Sequence, residues 1–236
     1  MAEAGAVAQR LLAITRDGAG GAGLAGQICR ACVDGLDVDG AAISLLTESP
    51  SRETLCATDA TAARVEELQF TLGEGACVEA ATTGRPVLVP DVWEASREGR
   101  WPVFAAAVAE QTAVRALFAL PLQLGTINLG VLDLYRTTPG TLAAAGLRDA
   151  MRAADTAAGM LLGLRTDPGD GQWWDQSWAS HAEVHQATGM VIAQLGVDAE
   201  EAFARLRAYA FSQDRLLGDV ARDVVARRLR FSDEMA

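Results

Sequence analysis

Seven consecutive residues, Thr166-Asp-Pro-Gly-Asp-Gly-Gln172, divide the chain into two stretches of unlike pattern. Proline and glycine set among acids interrupt any regular element, so the run reads as a loop or linker. Before it, apolar residues recur at both the helical and the strand period; after it, only the helical period is present. A chain so divided can be neither one sheet nor one bundle. With 236 residues it has room for one medium and one small domain, expected over 1–165 and 178–236 with a linker at 166–177. Trp173, Trp174 and Trp178 follow the break and fit either docking between the two units or plain packing at the start of the next helix.

In the first stretch, Val7, Leu11 and Ile14 fall on one helical face, and Leu24, Ile28, Cys32 and Leu36 repeat the spacing. Asp39-Gly40 leads into a strand at Ala41 to Leu46, with Arg52 to Thr58 as its hairpin partner. Thr61 to Leu68 reads as helix. Gly73-Glu-Gly75 is a turn, and a short helix from Ala76 ends at Gly84, a residue suited to a left-handed cap. Pro86 to Val89 is a short strand and Trp101 to Gln111 a helix. Two apolar strands, Val114 to Leu122 and Asn128 to Tyr135, flank a turn at Gly125-Thr126, and a long alanine-rich helix runs from Leu142 to Leu164. This order gives a mixed domain with a mainly antiparallel sheet.

The second stretch carries three helical stripes. Val184, Ala187, Val191 and Leu195 form the first, closed by Gly196. Asp198 followed by Glu201 makes a capping box that opens the second, with Ala202, Phe203, Leu206 and Ala210 inward. Leu217, Val220, Ala221 and Val224 form the third. Short connections favour a compact three-helix bundle. The fold class expected is therefore α+β: an antiparallel sheet flanked by helices, followed by an all-α bundle.

Composition removes several function classes. The apolar runs fall short of the ~18 residues of a membrane helix, and the start of the chain lacks the basic-then-apolar form of a signal peptide. A cytoplasmic protein with no membrane partner is expected. The net charge of −11 opposes nonspecific binding to nucleic acid, so any such contact needs a local basic face. The basic residues are all arginine, whose planar fork suits phosphates and base edges. His181 and His185 are the only histidines, which excludes a histidine base or histidine-ligated haem from the first stretch. One helical turn apart, they read as polar-face residues rather than metal ligands. Four cysteines in a chain this long do not make a disulfide framework, and reduced thiols are expected. Cys29-Arg-Ala-Cys32 has redox-motif spacing but falls inside a helix, which favours two core thiols; a zinc site with Cys56 and Cys77, or oxidant sensing at Cys77, is the alternative. Gly73-Glu-Gly75 lacks the signature of a phosphate loop. No catalytic constellation, metal site or named cofactor follows from these residues.

Gln186-Ala-Thr-Gly-Met190, Glu201-Ala-Phe203 with Leu206-Arg207, and Leu217-Gly-Asp-Val-Ala221 with Val224-Val225 resemble the ANTAR domain, over about 178–231. Gly73-Glu-Gly-Ala-Cys77, Gly84-Arg-Pro-Val87, Pro90-Asp91, Arg100-Trp-Pro-Val-Phe104, Ala119-Leu-Pro-Leu122 and Gly130-Val-Leu-Asp-Leu-Tyr135 resemble a GAF domain, over about 6–164. The pair is similar to the GAF–ANTAR antitermination regulators of actinobacteria. That resemblance implies a sensor joined to a module that holds paired RNA hairpin loops, generally as a homodimer. It has one departure: the ANTAR family usually has Ala-Lys-Gly where this chain has Ala187-Thr188-Gly189, so one cation is missing.

Candidate RNA-facing residues are Gln186, Thr188, Gly189, Arg207, Tyr209, Arg215, Arg222 and Arg227: small residues for close approach, arginines for phosphates, an aromatic ring for stacking. For a small-molecule effector in the first domain, the candidates are Phe70, Cys77, Asp91, Trp101, Phe104 and Arg115, within a wall that also includes Ile43, Leu45, Trp93, Phe118 and Leu120. Arg100 is a further polar group able to orient such a ligand. The reading that competes with an RNA-binding regulator is a GAF dimerisation or signalling scaffold with an RNA-silent helical tail. The long helix 142–164 is a dimer seam in either.

Overall fold

A computed structural model describes residues 6–16, 23–46, 52–165 and 181–232. The expected linker and the three tryptophans beside it lie outside these residues. Helices α1 (Ala6–Arg16) and α2 (Leu24–Gly35) precede the hairpin β1 (Gly40–Leu46) and β2 (Arg52–Ala57). Helices α3 (Ala60–Leu72) and α4 (Ala76–Thr83), strand β3 (Val87–Val89), and helices α5 (Val92–Arg97) and α6 (Pro102–Gln111) follow. Strands β4 (Ala116–Leu124) and β5 (Ile127–Arg136) then lead to α7 (Ala144–Arg165). The second unit consists of α8 (Ala182–Leu195), α9 (Ala199–Ser212) and α10 (Leu217–Val225).

The five strands form one antiparallel sheet in the order β2-β1-β5-β4-β3. Strand alternation sends β4 side chains to two different cores. Ala116, Phe118, Leu120 and Leu122 pack with α1, α2 and α7, while Leu117 and Ala119 pack under α3 to α6. The alanine-rich face of α7 (Ala150, Ala153, Ala154, Ala157 and Ala158) is buried against the first of these cores and so is already occupied within the chain. Only the outward side of α7, where Met151 is exposed, stays available to a second copy.

Local chemistry explains the boundaries. Asp59 caps α3 by accepting the backbone N–H groups of Thr61 and Ala62, and Gly73 closes it in the left-handed region at φ 65°. Helix α3 runs four residues past Leu68, where its apolar stripe ends in the sequence, because Phe70 and Thr71 are buried against the second unit. The short α5 has no sequence counterpart. Asp91 caps it through the N–H of Trp93, but only Val92 and Ala95 of its six residues are buried, too few to mark a helical stripe. In its second half β2 carries a bulge: Ile43 pairs with Cys56 and Ser44 with Thr54, which leaves Leu55 as the extra residue.

Two glycine substitutions separate close packing from open space. Gly130 faces Leu45 across the sheet, and a methyl there would run into the Ser44 carbonyl. Gly130→Ala should cost about 1–3 kcal/mol in a chemical unfolding curve. Gly159, inside α7 with nothing near its missing methyl, should gain up to ~1 kcal/mol on changing to Ala. Equal midpoints for the two variants would mean the sheet register is misassigned.

Candidate nucleic-acid interface

The second unit is stapled by local signals. Gly196 ends α8 at φ 69°, and Asp198 opens α9 by accepting the N–H of Glu201 at 2.8 Å. Val184, Ala187, Val191, Ala202, Leu206, Ala210, Leu217, Val220, Ala221, Val224 and Phe231 close its core. That inward set fixes which residues remain outside.

Past the first turn of α8 the exposed residues are Gln186, Gly189 and Ala193, and a methyl added at Gly189 would meet nothing within 4 Å. Thr188 is half-buried and donates its hydroxyl to the Val184 carbonyl at 2.8 Å, so that hydroxyl is turned back into its own helix. Beside this strip the chain leaves α10 through Arg227, held at φ 58°, and returns along α8, where the Phe231 N–H donates to Gln194 Oε1 at 2.8 Å. Met190, Ala193, Gln194, Arg227, Leu229 and Arg230 line the resulting groove of about 480 Å³.

Ion pairing sorts the arginines. Arg205 is held by Glu201 at 2.5 Å, Arg215 by Asp223 at 2.7 Å, Arg228 by Asp223 at 2.6 Å, and Arg222 by Asp219 and Glu183. Arg215 and Arg228 hold the Asp223 carboxyl below the usual carboxylate range. Among the described residues, Arg227 and Arg230 have no acidic partner, and both open onto the groove. Tyr209 is half-buried with its ring 5.5 Å from that of Phe231, in an edge-on packing contact. The structure therefore brings Gln186, Gly189 and Arg227 onto one side, ties Arg215 and Arg222 to carboxylates, and moves Arg207 elsewhere. Arg230, an arginine donor that the sequence offers outside that candidate set, joins them, and Gln194 was missed altogether. Their position depends on the returning tail, which has no periodic pattern.

Arg207 belongs to the contact with the first unit. Its Nε donates to the Thr71 carbonyl at 3.0 Å, and its guanidinium fills the space that a side chain at Gly73 would need. Phe70, from the end of α3, sits within the core of the second unit. It stacks on His181 at 3.8 Å and meets Phe203 edge-on at 5.9 Å. The N–H of Leu217 donates to Thr71 Oγ1 at 3.2 Å. His181 Nδ1 lies 3.0 Å from Glu53 Oε2 and its Nε2 3.5 Å from Glu67, while His185 Nε2 lies 2.6 Å from Glu53 Oε1. These histidines are thus not polar-face residues, as their spacing suggested: His181 is 6% exposed and both grip a glutamate from β2. Burial acts most strongly on His181 and would lower its pKa. The hydrogen bonds and charges of Glu53 and Glu67 together outweigh it and carry the pKa up to about 9.

The expected effector wall does not hold together as one surface. Ile43, Leu45, Phe118 and Leu120 face the α1/α2/α7 side, Cys77 and Phe104 face the other, and Phe70 is in the second unit's core. Trp93 is 45% exposed with Arg115 stacked on it. Arg115 is bound to Asp91 at 2.6 Å, and this hydrogen bond is the main reason the Asp91 carboxyl lies below its ordinary value. Arg100 pairs with Glu79 at 2.8 Å and lies over Trp101. On the α3 side of the sheet, Glu66, Asp133, Ala42, Ala62 and Val65 line a cavity of about 10 Å³, room for one water-sized group. Glu66, Cys77 and Asp133 can offer three ligand atoms within 4.8 Å of one another, a geometry that can hold a metal ion, although Glu66 already accepts from Ser44 and Gln69. Cys77 lies across the sheet from the core that holds Cys29 and Cys32, so the four cysteines do not share one zinc site.

Comparison with known proteins assigns both units. The family model for the GAF domain matches residues 22–161, and that for the ANTAR domain matches residues 176–225. No curated protein sequence matches the chain. Among solved structures, the GAF domain of an Acinetobacter phosphoenolpyruvate-protein phosphotransferase is 14% identical, with TM-score 0.53 over 67% of this chain and 92% of that one. The GAF domain of the corresponding Coxiella burnetii protein is 13% identical, with TM-score 0.52 over 68% and 95%. Free methionine-R-sulfoxide reductase from Neisseria meningitidis is 14% identical, with TM-score 0.50 over 67% and 88%. At these identities the likeness is one of fold.

The contact between the units yields two measurable effects. Phe70→Ala should cost about 3–5 kcal/mol and speed hydrogen exchange throughout α8 to α10. Unchanged exchange in those helices would mean that their core closes without the ring. The second effect concerns pH. His181 binds its proton more tightly when docked, at about pH 9, than in the unfolded chain, at 6.5. Its stabilisation, on the order of 3 kcal/mol at most, is fully present below pH 6.5 and is lost as pH rises through 9. Thermal unfolding of the native chain should show this fall, and His181→Gln should flatten it.

Proposed function

We propose, since the chain belongs to the GAF domain family and carries an ANTAR domain behind it, that it is a signal-responsive bacterial regulator that binds RNA hairpin loops and controls transcription antitermination. The observation that carries this reading is the groove between the second half of α8 and the returning tail. It combines an apolar floor (Met190, Ala193 and Leu229) with two arginines that have no acidic partner among the described residues. Single-stranded loops present unstacked bases beside phosphates, and such a groove can take both. In a chain of net charge −11, a basic group held by a carboxylate contributes little field, so the two unpaired guanidiniums count for more than the several paired ones.

Gln186 and Gly189 extend the same face. Arg215 and Arg222 act mainly to brace α10, and Arg207 to hold the GAF domain. Both matched domains are regulatory modules, and the reading is non-catalytic. The GAF domain serves as the input, with a small molecule or a redox change as the signal. The cavity beside Glu66 and Asp133 would have to open to take an effector larger than one water. The outward side of α7 is the surface we assign to homodimer formation. No helix among the described residues is long and apolar enough to cross a membrane, and the proposed site of action is the cytoplasm, where transcripts are made.

One observation favours the second reading, a GAF scaffold with an RNA-silent tail: Thr188 stands where the family has a cation and spends its hydroxyl on Val184. The two readings separate in a binding titration of the full chain against tandem-hairpin RNA over a range of salt. Under the first, Arg227→Ala with Arg230→Ala weakens binding at least tenfold and lowers the salt slope by ~1.4, at ~0.7 per phosphate. Absence of binding by the unaltered chain supports the scaffold. Binding that ignores both substitutions puts the RNA on another face.

A further inference from the structure

The sequence pairs Cys29 with Cys32 by spacing, but the fold pairs Cys29 with Cys56. Cys29 points from α2 into the core beneath the edge strand, and its Sγ lies 2.9 Å from Cys56 Sγ on β2. Cys32 follows one turn later on the same buried face. The three thiols differ in access. Cys29 and Cys32 are fully buried, whereas Cys56 is partly exposed. All are free thiols.

We propose that Cys29 and Cys56 form a reversible disulfide and so give the GAF domain an oxidation site for small hydroperoxides. The sulfurs need to close about 0.9 Å to reach the ~2.05 Å bond. The partner on one side is an edge strand with a bulge at Leu55, the part of a sheet best able to shift by that amount. The site goes beyond the RNA reading and does not rest on it.

The chemistry divides between the two sulfurs by exposure. The Cys56 thiolate attacks the peroxide O–O bond, becomes a sulfenic acid and releases hydroxide, or alkoxide from an organic peroxide. Cys29 then attacks the Cys56 sulfur. The S–S bond forms, the S–O bond breaks, and the Cys29 proton leaves with the departing hydroxide as water. In sum, two thiols lose two electrons and two protons, and one hydrogen peroxide becomes two waters. The hydrogen bond to Cys56, with burial behind it, raises the Cys29 thiol well above its ordinary value; burial carries Cys32 up to about 12. Both therefore stay protonated at neutral pH, which leaves first attack to Cys56 and makes bond closure the slow step. External dithiols reverse the reaction. The bond would staple to α2 the six-residue strand that also carries Glu53, the residue both histidines hold.

Peptide mapping of the unaltered full chain tests the site without relying on a variant. Trypsin cuts after Arg30 and Arg52 and so places Cys29, Cys32 and Cys56 in separate peptides. After treatment with hydrogen peroxide, alkylatable thiols should fall from four to two, with a Cys29–Cys56 linked peptide that a dithiol releases. Cys32→Ser should keep that link, and Cys56→Ser should retain its three remaining thiols. Linkage through Cys32, a Cys56 disulfide between two chains, or four thiols still alkylatable after peroxide would each overturn the assignment. Because RNA takes no part in the measurement, its outcome and that of the RNA titration are independent.

Discussion

One aromatic ring crosses from the GAF domain into the core of the ANTAR domain, and much of the arrangement depends on it. Phe70 lies among Val184, Leu206, Leu217 and their neighbours as if it belonged to that bundle. A three-helix unit of this size buries little apolar surface by itself, so a ring supplied by the neighbouring domain is a considerable share of its core. The polar contacts around Phe70 then set orientation. Glu53 is nearly fully buried, and a carboxylate in that position is tolerable only when it is paired and hydrogen-bonded. His181 and His185 do that together, which explains why the chain's two histidines sit one turn apart at the start of α8.

This contact divides the helical unit into two ends. The first turns of α8, together with Phe203, Arg207 and the start of α10, are committed to the GAF domain. The second half of α8 and the tail beyond α10 are not, and there the groove opens with two arginines that have no acidic partner among the described residues. A ligand at the groove and a signal in the GAF domain would therefore act on opposite ends of the same helix. Coupling between them needs a difference in how tightly the two ends are held, not direct contact.

Much of the fold was legible because the apolar periods were. The strand pairs around Gly125, the capped α9 and the glycine stops at Gly84 and Gly196 depend on neighbours a few residues away, and short-range chemistry determined them. The bulged hairpin β1–β2 was visible as two strands, but its bulge was not. What stayed hidden depends on distant partners. Arg207 looks like any arginine on a helix until Thr71 and Gly73, more than a hundred residues earlier, are placed beneath it. Phe70 looks like a pocket residue because it follows an apolar stripe, whereas its ring turns away from the sheet. The Cys29–Cys56 approach lies between elements that strand β1 separates in the chain. The effector wall failed for a related reason. Its strand residues Ile43, Leu45, Phe118 and Leu120 share one face of the sheet, but Cys77 and Phe104 come from helices packed on the other face and Phe70 from the contact with the second unit, and no local pattern tells which face a helix covers.

Strand β2 is where these hidden contacts meet. It is an edge strand, hydrogen-bonded on one side only, and the bulge at Leu55 separates its two functional positions. Cys56 stays in register with Ile43 and faces α2, while Glu53 reaches the histidines of the other domain. A central strand could not move without breaking ladders on both flanks, but an edge strand breaks only one. Small displacements of β2 therefore cost less than equal displacements of the central strands β1, β5 and β4. They would be felt first at a buried carboxylate, where the loss of one hydrogen bond exposes the full cost of desolvating the charge. An input that moves this strand need not reshape the GAF core to be read by the helices beyond it; it has only to alter the grip on Glu53.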